Sequence, residues 1–260
     1  MKLEANHIQV RFGGVVAVDD VSVTLQTGHI VSVVGPNGSG KSTLFNAITG
    51  LVTPAAGEVK VDGESLLAEP MSRRVRRGIS RTFQTPRYDP DMTVRETVLC
   101  GYFPLRRTGL TGTIFCTPAA RREAREMESR CDALVESFGL GAHAGTPMSE
   151  LPIGYIRLVD VARAMAAQPK FLLLDEPAAG LSRPEQAMLA SEVRRVARSG
   201  VGVLLVEHNF DLVCQLAEHL LVLERGKVLL EGTPDVVSAD PGFRQAYLGS
   251  TVDPQQGVRS

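Results

Sequence analysis

Gly35-Pro36-Asn37-Gly38-Ser39-Gly40-Lys41-Ser42-Thr43 is the stretch on which the reading of this chain turns. It follows Ile30–Val34, an apolar run broken only by Ser32, of the kind expected in a strand buried on both faces. A helix should follow it and stop at Gly50, since glycine closes helices in the left-handed conformation. Three glycines in six residues let the backbone wrap an anion with its N–H groups turned inward, and the helix behind adds its positive end. Within the spelling Gly35-x4-Gly40-Lys41-Ser42, Lys41 is placed to reach the β- and γ-phosphates of a nucleotide and Ser42 to ligate Mg2+. All nine residues are therefore candidate contacts of ATP.

Upstream, His7–Phe12 alternates, with Ile8, Val10 and Phe12 on one face, and Val21, Val23 and Leu25 repeat the pattern; both read as half-buried strands. Downstream, strands are expected at Glu58–Val61, before an Asp62-Gly63 turn, and at Ile79–Phe83. From Thr85 to Gly145 no strand signal occurs. Thr93-x-x-Glu96 spells a helix start, and Thr117-Pro118 opens a charged helix running through Phe138 to a stop at Gly139, with loop over Gly101–Cys116 between them. The α/β rhythm then resumes, with helices at Tyr155–Ala167 and Pro184–Ser199 and strands at Phe171–Leu174 and Val201–Val206. Leu220–Glu224 and Val228–Glu231 flank Arg225-Gly226-Lys227 as a hairpin. The tail Thr251–Ser260 is polar and expected to fray.

Composition narrows the function. With 28 basic and 29 acidic residues the net charge is -1, so no basic field advertises nucleic acid. The arginine run Arg73-Arg74-x-Arg76-Arg77 reads as a solvated helix face. Four scattered cysteines, Cys100, Cys116, Cys131 and Cys214, read as reduced thiols without a metal site. No apolar run is long enough to span a bilayer and the N-terminus lacks a signal-peptide pattern, so service to a membrane would come from the water side.

Asp175-Glu176 closes the apolar strand Phe171–Leu174. A carboxylate at the end of a buried strand beside a phosphate loop can hold Mg2+, usually through its water, and the next one, Glu176, can polarise an attacking water as general base. Other candidates are weaker by themselves. His208, after a strand, could hold that water or be structural; Gln84, at a strand end, could touch Mg2+ and water or be merely polar. Phe12 could offer a ring face to adenine or fill the core.

The order of phosphate loop, Gln84, helical insertion, Asp175-Glu176 and His208 resembles the nucleotide-binding subunits of ABC transporters, from Leu3 to about Gly249. Several stretches resemble more narrowly the ATP-binding subunits of branched-chain amino-acid importers: Arg11–Gly14, Arg81–Gln84, Thr117–Ala119, Asp175–Leu181, Glu207–Asn209 and Ala246–Gly249. The resemblance implies one ABC ATPase domain over residues 1–250, before a tail at 251–260. Within it lie an α/β P-loop core (1–84 and 165–250), an antiparallel β lobe at the N-terminus and an inserted helical subdomain (85–164). It makes Phe12 the adenine-stacking residue, Glu176, His208 and Gln84 the catalytic set, and Ser42, Gln84 and Asp175 the Mg2+ ligands. The protein it implies powers an importer of branched-chain amino acids or a similar small polar solute. It would act on the cytoplasmic face of the membrane, with permease subunits, a second ATPase subunit and, indirectly, an extracytoplasmic solute-binding protein. Urea, amide or lipid-like cargo, export, a non-hydrolysing scaffold and a soluble non-transport ATPase are the rival readings; a single cassette without zinc cysteines or coiled coils speaks against the last.

One motif departs from the family pattern. Where the family has a signature resembling Leu-Ser-Gly-Gly-Gln, which completes the ATP site of a partner subunit, this chain has Leu151-Pro152-Ile153-Gly154-Tyr155. Pro152 has neither hydroxyl nor N–H to donate. Ser182 also stands where the family often has Asp or Asn. The expectation is asymmetric: competent chemistry at this chain's own phosphate loop, a weak mirror site, and hence a heterodimer.

Overall fold

The computed structural model describes residues 1–108 and 117–243. The expectations for Cys116, for part of the loop Gly101–Cys116, for Ala246–Gly249 and for Thr251–Ser260 lie outside these residues.

Among the described residues, ten strands form two sheets. The first is antiparallel, in the order β2-β1-β4-β5, from β1 (Lys2–Phe12), β2 (Val15–Gln26), β4 (Ala56–Val61) and β5 (Glu64–Ser65). The second has six strands in the order β10-β9-β3-β8-β7-β6. These are β3 (Ile30–Val34), β6 (Ile79–Arg81), β7 (Phe171–Asp175), β8 (Gly202–Val206), β9 (His219–Glu224) and β10 (Lys227–Gly232). All neighbours are parallel except the edge pair β9–β10.

The parallel strands are mostly apolar because both their faces are covered. Val31, Val33, Phe171, Leu173, Leu204, Val206, Leu221 and Leu223 join one core with the antiparallel sheet and helix α1 (Lys41–Thr49). The alternate residues Ile30, Val34, Leu172, Leu174, Val203, Leu205, Leu220 and Val222 join a second core. That core includes helices α3 (Val94–Cys100), α4 (Pro118–Ser137), α5 (Ile153–Ala166) and α6 (Arg183–Arg198). Each such side chain, withdrawn from water, stabilises by roughly 1.5–3 kcal/mol, so period-two alternation inside a wholly apolar run assigns one strand to two cores.

The helical insertion has the expected caps. Thr93 Oγ1 accepts from Glu96 N–H at 3.2 Å while the Glu96 carboxylate accepts from Thr93 N–H at 2.9 Å, and Thr117 caps α4 with Pro118 in its first turn. Several boundaries move. Strand β6 ends at Arg81, so Gln84 sits three residues beyond the strand rather than closing it. Helix α5 starts at Ile153, which puts Ile153, Gly154 and Tyr155 in its first turn with Pro152 as N-cap. Strand β8 begins at Gly202 rather than Val201. Short helices at Phe210–Leu216 (α7), Pro234–Ala239 (α8) and Pro241–Phe243 (α9) were not expected.

Two side chains correct the sequence reading. Phe12 is 53% exposed and does not share the buried face of Ile8 and Val10; register shifts at Ile8/Val10 and Val10/Arg11 turn the strand end outward. Arg74 is not part of a solvated face: it is buried on helix α2 (Met71–Arg76), and its Nη1 donates to Ala47 O at 2.9 Å and Ile48 O at 2.7 Å. These are C-terminal carbonyls of α1, which a cation satisfies well. Its neighbours Arg73, Arg76 and Arg77 are exposed.

Candidate functional site

The C-terminal ends of β3, β8, β7 and β6 lie side by side, and the loops leaving them carry every candidate except Phe12 and the Leu151–Tyr155 stretch. This is where open parallel sheets bind ligands.

The loop after β3 is held from outside. Ser39 N–H donates to Pro36 O at 3.1 Å, Gly226 N–H in the β9–β10 turn donates to Ser39 O at 3.0 Å, and Asp19 N–H donates to Gly226 O at 2.7 Å. Gly40 has φ 104°, and a Cβ there would stand 2.5 Å from Ala17 O, so glycine is required twice over. Helix α1 begins at Lys41 with no side-chain cap and no acid in its first turn. Its N-terminal N–H groups are thus left to a ligand, and anions bind there. Lys41 is buried, and its Nζ donates to Gly35 O at 2.7 Å and Pro36 O at 3.0 Å, closing the loop on itself. Burial lowers its pKa; Glu176 and Asp175 act in the opposite direction. A cavity of about 280 Å³ is lined by Ala17, the 37–43 segment, Gln84 and Glu176. A larger cavity, about 910 Å³, lies between Arg76, Tyr102, Arg122 and Gln168 and touches none of these residues.

Opposite the loop stand the two carboxylates. Asp175 is buried, and its Oδ2 accepts from Arg81 Nη2 at 3.0 Å. Arg81 is itself buried and also donates to Asn46 Oδ1 at 2.7 Å. Asp175 Oδ1 is buried without a hydrogen-bond partner. Burial raises the Asp175 pKa and Arg81 counters it. An orphaned carboxylate oxygen next to a phosphate loop suits a hard cation or its water. Among the described residues no group of three His, Cys, Asp or Glu could hold a metal, so an ion here would rely on hydroxyl, amide and phosphate oxygens as well.

Glu176 takes a left-handed backbone, φ 46°, with its N–H donating to Val206 O at 2.9 Å. This conformation costs a non-glycine residue about 1 kcal/mol and persists where surroundings impose it, often at functional sites. Its Oε2 accepts from Gln84 Nε2 at 2.8 Å. Behind it Glu207 is fully buried. Glu207 Oε1 accepts from Ala178 N–H at 2.7 Å and Oε2 from His208 N–H at 3.3 Å, and burial pushes its pKa up. His208 has an exposed side chain whose Nδ1 lies 3.9 Å from Glu207.

The structure therefore gathers Lys41, Ser42, Gln84 and Glu176 around one cavity with Asp175 beside it. Phe12, on the tip of the β1–β2 hairpin, and His208 do not line that cavity. Neither does Leu151–Tyr155. There Leu151 is buried, Pro152 is exposed and Tyr155 packs on the His143 ring at 4.5 Å. Gly154 N–H donates to Glu185 Oε1 at 3.2 Å, while the other oxygen of Glu185 accepts from Ser182 N–H at 2.8 Å and from Ser182 Oγ at 2.6 Å.

The family profile described as "ABC transporter" matches residues 18–179, spanning the loop, the insertion and both carboxylates. The chain belongs to the ABC transporter family. It is similar to the high-affinity branched-chain amino acid transport ATP-binding proteins BraF of Pseudomonas aeruginosa (36% identity) and LivG of Escherichia coli (37%). Each match covers 95% of this chain and 97% of the relative. It is also similar to the lipopolysaccharide export ATP-binding protein LptB of Acidithiobacillus ferridurans, at 35% identity over 90% of this chain and 91% of the relative. Among solved structures, an ATP-binding cassette of an ABC transporter in its ADP conformation superposes with a TM-score of 0.84 at 31% identity, covering 96% of this chain and 99% of that one. A nucleotide-free cassette gives 0.80 at 29%, covering 98% and 97%. The chain is thus a transport ATPase with a nucleotide-binding cassette fold. No helix among the described residues is long and apolar enough to cross a membrane.

Residue reasoning assigned no role to Arg81, Arg157, Glu185 or Glu207. Arg81 had a signal: a lone cation inside Ile79–Phe83 had to be buried, and a buried guanidinium needs a carboxylate on an adjacent strand. Glu185 follows Ser182 at the spacing of a helix start. That it also reaches Gly154, 31 positions away, is invisible to local pattern.

Proposed function

We propose that this chain binds and hydrolyses ATP at the Gly35–Thr43 loop to power import of branched-chain amino acids or a similar small polar solute, from the cytoplasmic face of a membrane. The observation that carries the catalytic part is the Gln84–Glu176 hydrogen bond at the mouth of the phosphate-loop cavity. The cargo part rests on the similarity to BraF and LivG over nearly their whole length together with the narrower stretches such as Asp175–Leu181. LptB, at nearly the same identity, makes lipid-like export the second reading.

In this reading the phosphates of ATP take over Lys41 Nζ from the carbonyls of Gly35 and Pro36 and accept the N–H groups of the loop and of the first turn of α1. Phe12, exposed on its hairpin, stacks on adenine. Ser42, Gln84 and Asp175 hold Mg2+, which when bound neutralises charge on the β- and γ-phosphates. Arg81 holds Asp175 in place and opposes the rise in its pKa that burial causes. Glu176 accepts the proton of the attacking water as general base, Gln84 orients that carboxylate, and His208 moves onto the γ-phosphate side when the partner closes. Residues 85–164 form the helical arm that presents Leu151–Tyr155 to the ATP of a second ATPase subunit. Because Pro152 offers no donor, and Gly154 N–H is engaged by Glu185, that second site is the weaker one, and the partner is a paralogous chain with an intact signature. Permease subunits and, through them, an extracytoplasmic binding protein complete the assembly; nucleic acid has no part.

The test is Mg2+-dependent ATP hydrolysis by the purified chain, alone and with the paralogous ATPase, against Glu176→Gln. Activity appearing in the mixture and falling about a thousandfold with Glu176→Gln supports the reading. Robust hydrolysis by the chain alone would show that Leu151–Tyr155 is a working signature. Leucine uptake by proteoliposomes holding the assembled transporter decides the cargo.

A further inference from the structure

Helix α5 carries Arg157, Asp160 and Arg163 at three-residue spacing, so their side chains stand on one face. That face grips the backbone of the segment between β6 and α3. Arg157 Nη1 donates to Gln84 O at 2.7 Å. Asp160 is buried beside the backbone of Phe83. Arg163 donates to Arg87 O and pairs with Asp160. Arg157 reaches a second loop as well: its Nη2 donates to Ala179 O at 3.3 Å, just past the carboxylates.

These contacts close a ring. Arg157 holds the Gln84 carbonyl; the Gln84 carboxamide donates to Glu176 Oε2; Glu176 O accepts from Ala179 N–H at 3.2 Å; Ala179 O returns to Arg157. Arg157 is 8% exposed, and its Nε is buried without a partner. A buried guanidinium that leaves one N–H unmatched in order to span two loop carbonyls is placed for geometry rather than for stability. The same helix begins at Ile153, with Gly154 three residues before Arg157. A tilt of α5 therefore displaces the Leu151–Tyr155 stretch and the Gln84 loop together.

We propose that Arg157 is a positioning residue of the hydrolytic site: it fixes where the Gln84 carboxamide meets Glu176, and it ties that position to the helix behind Leu151–Tyr155. The proposal rests on the roles given above to Gln84 and Glu176. It makes the chain's own general base sensitive to what happens at the start of α5, where the other nucleotide of the dimer is bound.

The experiment measures steady-state Mg2+-ATP hydrolysis in the wild-type assembly and in four variants: Arg157→Gln, Arg157→Lys, Gln84→Ala and the double Gln84→Ala/Arg157→Gln. Arg157→Gln is expected to lower kcat about tenfold or more with KM for ATP within about twofold, since misplacing a catalytic group by about 1 Å costs up to about a hundredfold. Arg157→Lys, which keeps the charge but reaches only one carbonyl, should recover part of the loss. In the Gln84→Ala background Arg157→Gln should cost less than about a further twofold, because the group it positions is gone. A full, multiplicative loss in both backgrounds, or a change confined to KM, overturns the proposal. If Arg157→Gln does not fold, the same cycle is run with Arg157→Lys. A wild-type rate indifferent to Glu176→Gln would instead sink the functional reading on which the proposal stands.

Discussion

The phosphate loop and the Leu151–Tyr155 stretch are the two places where this chain is expected to meet ATP, and they are built to different standards. In the first, backbone geometry is over-determined. Gly40 sits at φ 104° against Ala17 O, Ser39 is pinned by the β9–β10 turn, and Lys41 is stored on its own loop. In the second, the donors are few. Pro152 has none, and Gly154 N–H is already bonded to a carboxylate of the same chain. The loop proposed to hold the chain's own nucleotide is woven into the central sheet, so sequence change there is expected to damage fold and chemistry together. The stretch proposed to complete a partner's site rests on the first turn of a helix, and its outward groups can change while α5 still packs through Ile156, Leu158 and Val159.

The sharpest way to break this contrast is Gly40→Ala. A left-handed alanine whose Cβ meets a backbone oxygen must shift the loop, and nucleotide affinity is expected to fall about a hundredfold, read by fluorescent-ATP titration. Loss of less than a few-fold would show that the loop is not rigid. Next comes Arg81→Met, which leaves Asp175 buried and unpaired. Removing one partner of a buried pair costs about 3–5 kcal/mol, a drop in Tm of roughly 10 °C for a chain of this size. Because burial raises the Asp175 pKa and Arg81 opposes that rise, the loss should be smaller at low pH, where Asp175 is protonated, and grow as pH rises through its pKa.

On the other side of the comparison the effects are smaller. Pro152→Ser should raise ATP turnover of the assembled pair two- to fivefold (an estimate of about one added hydrogen bond), and no gain would count against the asymmetry. Gly154→Ala should cost about 1–2 kcal/mol of stability: its Cβ would meet Glu185 Oε1 at 2.7 Å and Cγ at 2.9 Å, so that side chain must move and loosen its bonds to Ser182 and Gly154. A loss as large as that from Arg81→Met would mean that the Gly154–Glu185 contact is a structural keystone.

Much of this was legible before any coordinates. Ile30–Val34 and Phe171–Leu174 announced buried strands, the Gly35–Thr43 spelling announced the turn from β3 into α1, and Thr93 and Thr117 announced helix starts. What misled was always a side chain with two compatible environments. Phe12 continues the alternation of Ile8 and Val10, and only register shifts near the hairpin send it outward. Arg74 sits in a run of arginines, and only the approach of α1's last carbonyls buries it. Helix α5 starts two residues before the expected Tyr155, with Pro152 as its N-cap.

The sequence by itself determined the local chemistry: which backbone must be glycine, which strand is apolar on both faces, which carboxylates end it. These are properties of neighbouring residues, where steric limits and periodicity act over a few positions. Tertiary structure alone decided the pairings: Arg81 with Asp175 across 94 positions, Gln84 with Glu176 across 92, Gly154 with Glu185, and the ring that Arg157 closes. Those depend on strand order and helix docking. The order β3-β8-β7-β6 sets them, and no periodicity within a single segment encodes it.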